Sequence, residues 1–213
     1  MATRNTRRSV RRRCGATAAT VLLGALFAAC PVGCEPPRPK LFDTDALRAA
    51  GTVLVLPLAD APSEEATGSG AAFRGTIEQS LLNDCNLNVI NLSETKLAEA
   101  LKKTGLDIVD CYDPAVATEI AREFKADLAV TGELLHYTIQ REMSNTTVVI
   151  ITGGETKVTH WVSVSLRLVN ASDGKIIYTG AGTAQDPEGF TNAASQAVKQ
   201  ALASLAYFRT HMK

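Results

Sequence analysis

Thr52–Leu58 reads TVLVLPL, a short apolar run rich in β-branched residues, the pattern of a strand buried on both faces. Pro57 belongs at its end, because proline cannot donate to a ladder. A polar loop over 59–70 carries Pro62, Ser63, Thr67, Gly68, Ser69 and Gly70. Phe73, Ile77 and Leu81 then recur every four residues, which predicts an amphipathic helix ending near Asp84. Leu87–Ile90 predicts a second short strand. Ser93 has the chemistry of a helix N-cap, Leu97 and Leu101 form a buried stripe, and Gly105 supplies the stop. Asp113-Pro114 opens a further helix with proline at its first position. Val116, Ala117, Ile120, Ala121 and Phe124 make its inner side.

The pattern then changes. Asp127–Gln140 is strand-like throughout. From Val158 onward the alternation is clean: Val158, Val162, Val164, Leu166 and Leu168 point one way, and Ser163, Ser165 and Arg167 the other. Such a sheet has one covered and one wetter face. His160 falls in line with the apolar side and Trp161 with the polar side. NASDGK, residues 170–175, is a hairpin turn whose Asp-Gly supplies the positive φ that tight turns require. Lys175–Ala184 is the return strand, and a last helix runs from Pro187 to about Tyr207. The predicted fold is α/β: a single domain with a mixed sheet, elements in the order βαβααβββα, and helices packed on the sheet.

The N-terminal residues follow a different logic. Met1–Arg13 is basic, Gly15–Ala29 is small and apolar, and Cys30 follows. A basic start, a short apolar stretch and small residues before a cut describe a secretory signal. The apolar stretch is shorter than the roughly 20 residues a spanning helix needs. Phe27-Ala28-Ala29-Cys30 resembles a lipobox, with Phe27 where leucine is usual, so Cys30 is expected to carry the lipid. Pro31-Val32-Gly33-Cys34 is a second, poorer candidate, and an ordinary signal cut nearby is the alternative. Thr6-Arg7-Arg8-Ser9-Val10 faintly resembles a twin-arginine signal, though a plain basic leader accounts for it. Pro31, Pro36, Pro37 and Pro39 make the next residues an extended stalk. The expected organisation is a signal peptide over 1–29, a lipidated Pro-rich linker over 30–48, the domain over 49–208 and a tail over 209–213. Pro31 stands where an inner-membrane retention signal often has Asp, which favours the outer membrane, facing the periplasm.

Charge sharpens this picture. The chain balances 22 basic against 22 acidic side chains, but Arg4, Arg7, Arg8, Arg11, Arg12 and Arg13 all precede the expected cut. Without those six, 16 basic face 22 acidic residues, a net charge of about −6. Clustered positive charge for nucleic acid is missing. In an oxidising periplasm a Cys85–Cys111 disulfide is allowed, and the cysteine spacing does not suit zinc.

VLVLPLAD, LNVINLSE, EIAREFKADLAVTGEL and VSVSLRLVNASDGKIIYTGAG follow one another behind this leader. The most specific pieces are Ala126–Glu133 and the hairpin Leu168–Lys175. Together they resemble the family of envelope lipoproteins that contains the curli-secretion channel subunit and the lipoprotein activators of penicillin-binding proteins. The resemblance implies a periplasmic α/β domain, usually without enzymatic activity, that binds proteins or assembles. Pore formers of that family carry long insertions that become membrane hairpins; here the one candidate is Met143–Lys157, containing TTVVIITGG.

Catalytic chemistry is sparse. Gly68-Ser69-Gly70 opens a helix and could hold an anion on free amides. His136 and His160 lie in strands and could be close, but two histidines do not complete a metal site; His211 lies in the tail. Ser195 is mid-helix, and GAGTAQ over 180–185 is no nucleophile elbow. The expectation is therefore no catalytic residues, no metal and no cofactor. An unidentified envelope protein is the expected partner, a membrane contact is made through lipid, and a homo-oligomer is left open. Trp161 is the candidate partner contact, against the plainer alternative that other elements cover it.

Overall fold

The computed structural model describes residues 40–41, 43–63, 66–144 and 155–211. In chain order these form β1 (Lys40–Leu41), α1 (Thr44–Ala49), β2 (Thr52–Val55), α2 (Ser69–Asn83) and β3 (Asn88–Val89). Then come α3 (Glu94–Thr104), a 3-10 turn (Ile108–Tyr112), α4 (Pro114–Glu123), β4 (Leu128–Ser144), β5 (Glu155–Asn170), β6 (Ile176–Asp186) and α5 (Phe190–His211). The expected order is present, with β1 and α1 added in front. Six strands make one sheet in the order β1-β6-β5-β4-β2-β3. β2 runs parallel to β3 and β4, while β4, β5 and β6 form an antiparallel meander that β1 extends. The fold is α/β with a mixed sheet.

Successive residues of a strand face opposite sides, and β2 divides its side chains accordingly. Val53 and Val55 enter a core built with Leu47 of α1, Phe73, Ile77 and Leu81 of α2, and Ala197, Ala201 and Leu205 of α5. Leu54 and Leu56 enter a second core with Leu97 and Leu101 of α3 and Ala117, Ile120 and Ala121 of α4. The helices begin where the sequence caps them. The Ser93 hydroxyl accepts from the Lys96 N–H at 3.4 Å and the Asp113 carboxylate from the Ala115 N–H at 2.7 Å. Gly105 closes α3 with φ 71°, a conformation open to glycine at little cost.

The end of the expected linker is structured. Thr44–Ala49 forms α1, capped by the Asp43 carboxylate, which accepts from the Asp45 and Ala46 N–H groups. A residue from the far end of the chain secures it. The Arg209 guanidinium donates to the carbonyls of Leu47 (2.7 Å), Ala50 (3.0 Å), Cys85 (3.2 Å) and Asn86 (3.0 Å). In the hairpin after β5 only Gly174 takes positive φ, at 73°; the Asn170 side chain accepts from Ser172 instead. The turn is longer than the two-residue form that Asp-Gly suggests.

α5 lies unusually close to β6. A methyl group at Gly180 or Gly182 would overlap the carbonyl of Ala201 or Ala197. The buried Tyr178 hydroxyl donates to the Ala201 carbonyl, joining the same two elements. In β4 a bulge at Leu135 shifts the register between Leu134 and His136. That extra residue reverses which side the rest of β4 presents to each core.

Candidate functional site

The two sides of the meander are covered unequally. On the α5 side, Val162, Val164, Leu166 and Leu168 of β5 are all buried in the first core. On the other side the second core takes only Ala129 from β4 and Val169 from β5. Its cover ends at Thr131, whose buried hydroxyl donates to the Cys111 carbonyl at 2.9 Å. Beyond Thr131 no helix enters that side among the described residues. Glu133, His136, Trp161, Ser165, Arg167 and Thr183 form a polar ledge on this side, around the buried Ser163.

Trp161 is the centre of this ledge. Its indole stacks on the His136 imidazole with ring centroids 4.5 Å apart and planes at 21°. The contact joins neighbouring strands, since Trp161 pairs with Thr138 and His136 with Ser163. The indole N–H is shielded from solvent and meets no acceptor among the described residues. Beside it the Ser163 and Thr183 hydroxyls bond across β5 and β6 at 2.9 Å. Farther along, Arg167 and Glu133 approach at 3.6 Å, a half-exposed pair worth at most about 1 kcal/mol. The ledge thus offers one half-buried aromatic, one unsatisfied donor and both signs of charge.

The other sequence candidates are placed as follows. Cys30, the signal peptide and most of the Met143–Lys157 segment lie outside the described residues. Cys85 and Cys111 do not pair: both are free thiols, one in each core, with the sheet between them. Burial, helped by the Asp84 carboxylate, pushes the Cys85 thiol up to about 12. Burial beside Asp110 pushes Cys111 up to about 11. His136 and His160 are separated because the Leu135 bulge turns His136 to the ledge. His160 stays on the covered side, edge-on to Phe190 at 4.7 Å, with its Nδ1 3.2 Å from the Asp186 carbonyl. His211 stacks on Tyr207 at the end of α5.

The amides at Gly68–Gly70 that could have held an anion are already occupied. The Asp60 carboxylate accepts from the Gly68 and Gly70 N–H groups, each at 2.7 Å. Ser195 lies within α5. A cavity of about 490 Å³ opens beside Arg122, Lys125, Asp127 and Asn170. Two of its polar groups are committed to the scaffold: Arg122 donates to the Ala171 and Ser172 carbonyls, and Asp127 accepts from Gly51 and Thr52. Among the described residues, no three His, Cys, Asp or Glu side chains converge as metal ligands, and no helix is long and apolar enough to cross a membrane. Sequence reading singled out Trp161 but missed its partner His136; the signal lay in the bulge, which no local pattern announces.

No protein-family model and no curated protein matches the sequence. Among solved structures, the chain is similar to PelC from Paraburkholderia phytofirmans, crystallised as a dodecamer, at 15% identity and a TM-score of 0.52. That match covers 79% of this chain and 95% of PelC. Lipoprotein GNA1162 from Neisseria meningitidis aligns at 16% identity over 73% of this chain and 98% of its own, with a TM-score of 0.46. The C-terminal domain of LpoB from Salmonella enterica aligns at 19% identity over 67% of this chain and 87% of its own, with a TM-score of 0.43. The likeness to PelC is one of fold.

Proposed function

We propose that this chain is a lipid-tethered periplasmic module that binds a partner protein during assembly of the cell envelope, without catalysing a reaction. The observation that carries the reading is the bare ledge around Trp161. Tryptophan in a semi-sheltered position, ringed by polar groups, is the side chain most often found at the centre of protein contacts. The leader, with Cys30 as the attachment point, gives the tether and its membrane address. The prolines after Cys30 give the domain reach from the membrane surface.

A second reading is a subunit of an oligomeric outer-membrane secretion assembly, of the kind that contains the curli-secretion lipoprotein. The fold shared with the dodecameric PelC supports it. Extraction of the full chain from its native membrane in mild detergent separates the two. A small species whose N-terminal peptide carries acyl chains on Cys30 supports the tethered module. A large ring-sized particle favours the secretion subunit. An unmodified, freely soluble protein overturns both.

A further inference from the structure

The strand order leaves one long edge open. β4 is paired with β5 along its whole length, from Leu128 against Asn170 to Ser144 against Glu155. On its other flank β2 accompanies it only to Val130. The last hydrogen bond there is from the Leu134 N–H to the Ala59 carbonyl, 2.9 Å. Past the bulge, Leu135–Glu142 meets no further strand on that flank among the described residues. Its outward amides and carbonyls form a template for another strand.

The opposite flank of the meander is treated differently. On β6 the Thr183 N–H is capped by the Gln200 side chain at 3.2 Å, and Gln196 holds the Asp186 carboxylate at 3.0 Å. Among the described residues the β4 edge has no such cap, and Leu135–Glu142 contains no proline or lysine, its charges being Arg141 and Glu142 at the far end. It also gathers exposed apolar side chains: Leu135 is 40% exposed, Ile139 41%, and Val158 on the adjoining β5 36%.

The order of side chains along this edge selects the occupant. We propose that it is a second copy of this chain, paired antiparallel through β4 about a two-fold axis at Ile139. Such an axis stands perpendicular to the sheet and keeps each face on its own side, so paired residues share a face. Ile139 then meets Ile139 of the second copy. Tyr137 faces Arg141, an aromatic ring opposite a guanidinium. His136 faces Glu142, an imidazole N–H opposite a carboxylate, and Thr138 faces Gln140. Each off-axis pair is made twice, the Ile139 pair once, and no like charges meet. Registers centred farther along the edge lose this match. An axis at Arg141 would set the two guanidinium groups against each other, which disfavours a strand pair. An axis at Gln140 would set Ile139 against Arg141. The dimer joins two sheets into one and covers the apolar edge. It shares His136 with the ledge but uses neither Trp161 nor Ser165, so Ile139→Lys tests the dimer and Trp161→Ala the partner contact.

The full chain in its native membrane provides the test. With Ile139→Cys, mild oxidation is expected to give a disulfide between two peptides that both span position 139, since facing strand residues lie within disulfide reach. Gln185→Cys, on the β6 flank, is expected to give no such product. Ile139→Lys places two ammonium groups on the axis. In detergent solution it is expected to convert dimer to monomer, with Kd raised at least tenfold and an unchanged circular dichroism spectrum. Ile139 is 41% exposed, and the circular dichroism spectrum checks that each variant folds. A larger closed particle that still yields the position-139 link contains this interface. An unlinked position 139, a link from it to a different protein, or an Ile139→Lys variant of unchanged size would each overturn the proposal.

Discussion

β5 belongs to two environments at once. Val162, Val164, Leu166 and Leu168 lie fully buried beneath α5. One residue away, Ser165 and Arg167 lie partly exposed, and Ser163 buried, on a side that no helix covers past Thr131 among the described residues. The first side is packed so tightly that β6 needs glycine at 180 and 182 to admit the α5 backbone. The second side carries loosely held polar contacts: a serine–threonine bridge, a distant ion pair and a stacked histidine. The same three strands therefore separate two tasks. One surface holds the fold together, and the other bears little on stability and is the one proposed for recognition.

The contrast can be broken most severely at Gly182. Gly182→Val is expected to cost about 4 kcal/mol or more, because a side chain there must displace the α5 backbone itself. Urea unfolding of the detergent-extracted chain would show this, and a midpoint close to the wild type would mean that α5 is not seated as described. Leu166→Ala comes next, at about 3 kcal/mol for a fully buried leucine. Its neighbour across the sheet, Ser165→Ala, is expected to stay within about 0.5 kcal/mol. Equal losses at 165 and 166 would erase the distinction between the two sides.

Thiol chemistry sharpens the comparison from inside each core. Cys85 and Cys111 are expected to resist alkylation at neutral pH, since only the thiolate reacts and burial pushes both values far above neutrality. Labelling should rise with pH as burial keeps both thiols protonated near neutrality. Peptide mapping of the modified protein distinguishes the two. Simultaneous labelling would indicate that the cores open together.

The smallest effect concerns Asp127 at the base of β4. Hydrogen bonds from the Gly51 N–H and from Thr52 hold its carboxyl below the usual value. A depressed carboxylate contributes stability that is present above its unfolded value, roughly 4, and is lost as pH falls through its folded value. Asp127→Asn should therefore reduce stability at neutral pH slightly and flatten the decline in acid. The effect stays below about 1 kcal/mol because the group is exposed to solvent.

How far the sequence foretold this molecule depends on the range of the interactions involved. Ser93, Gly105 and Asp113-Pro114 announced helix ends because caps are local, and the alternation through Val162–Leu168 announced two unlike sides of a strand. α1 escaped notice because its anchor, Arg209, lies 162 residues from Leu47 along the chain. The filled cradle at Gly68–Gly70 depended on Asp60 folding back across a loop. The Cys85–Cys111 pairing looked allowable only until the end of α2 and the 3-10 turn packed on opposite sides of the sheet, placing each thiol in its own core. The single extra residue at Leu135 decided the fate of both histidines, sending His136 to Trp161 and leaving His160 beside Phe190. Periodicity reads faces well within one strand; it is blind to a bulge that exchanges them.

The decisive measurement is site-specific photo-cross-linking in native membranes from Ser165 on the bare side, with Arg48 on the α5 side as the reference position. A discrete product with one envelope protein from position 165 is expected, falling at least tenfold with Trp161→Ala and absent from position 48. Products of equal yield from both positions, or a product at 165 indifferent to Trp161→Ala, would contradict a partner-binding ledge.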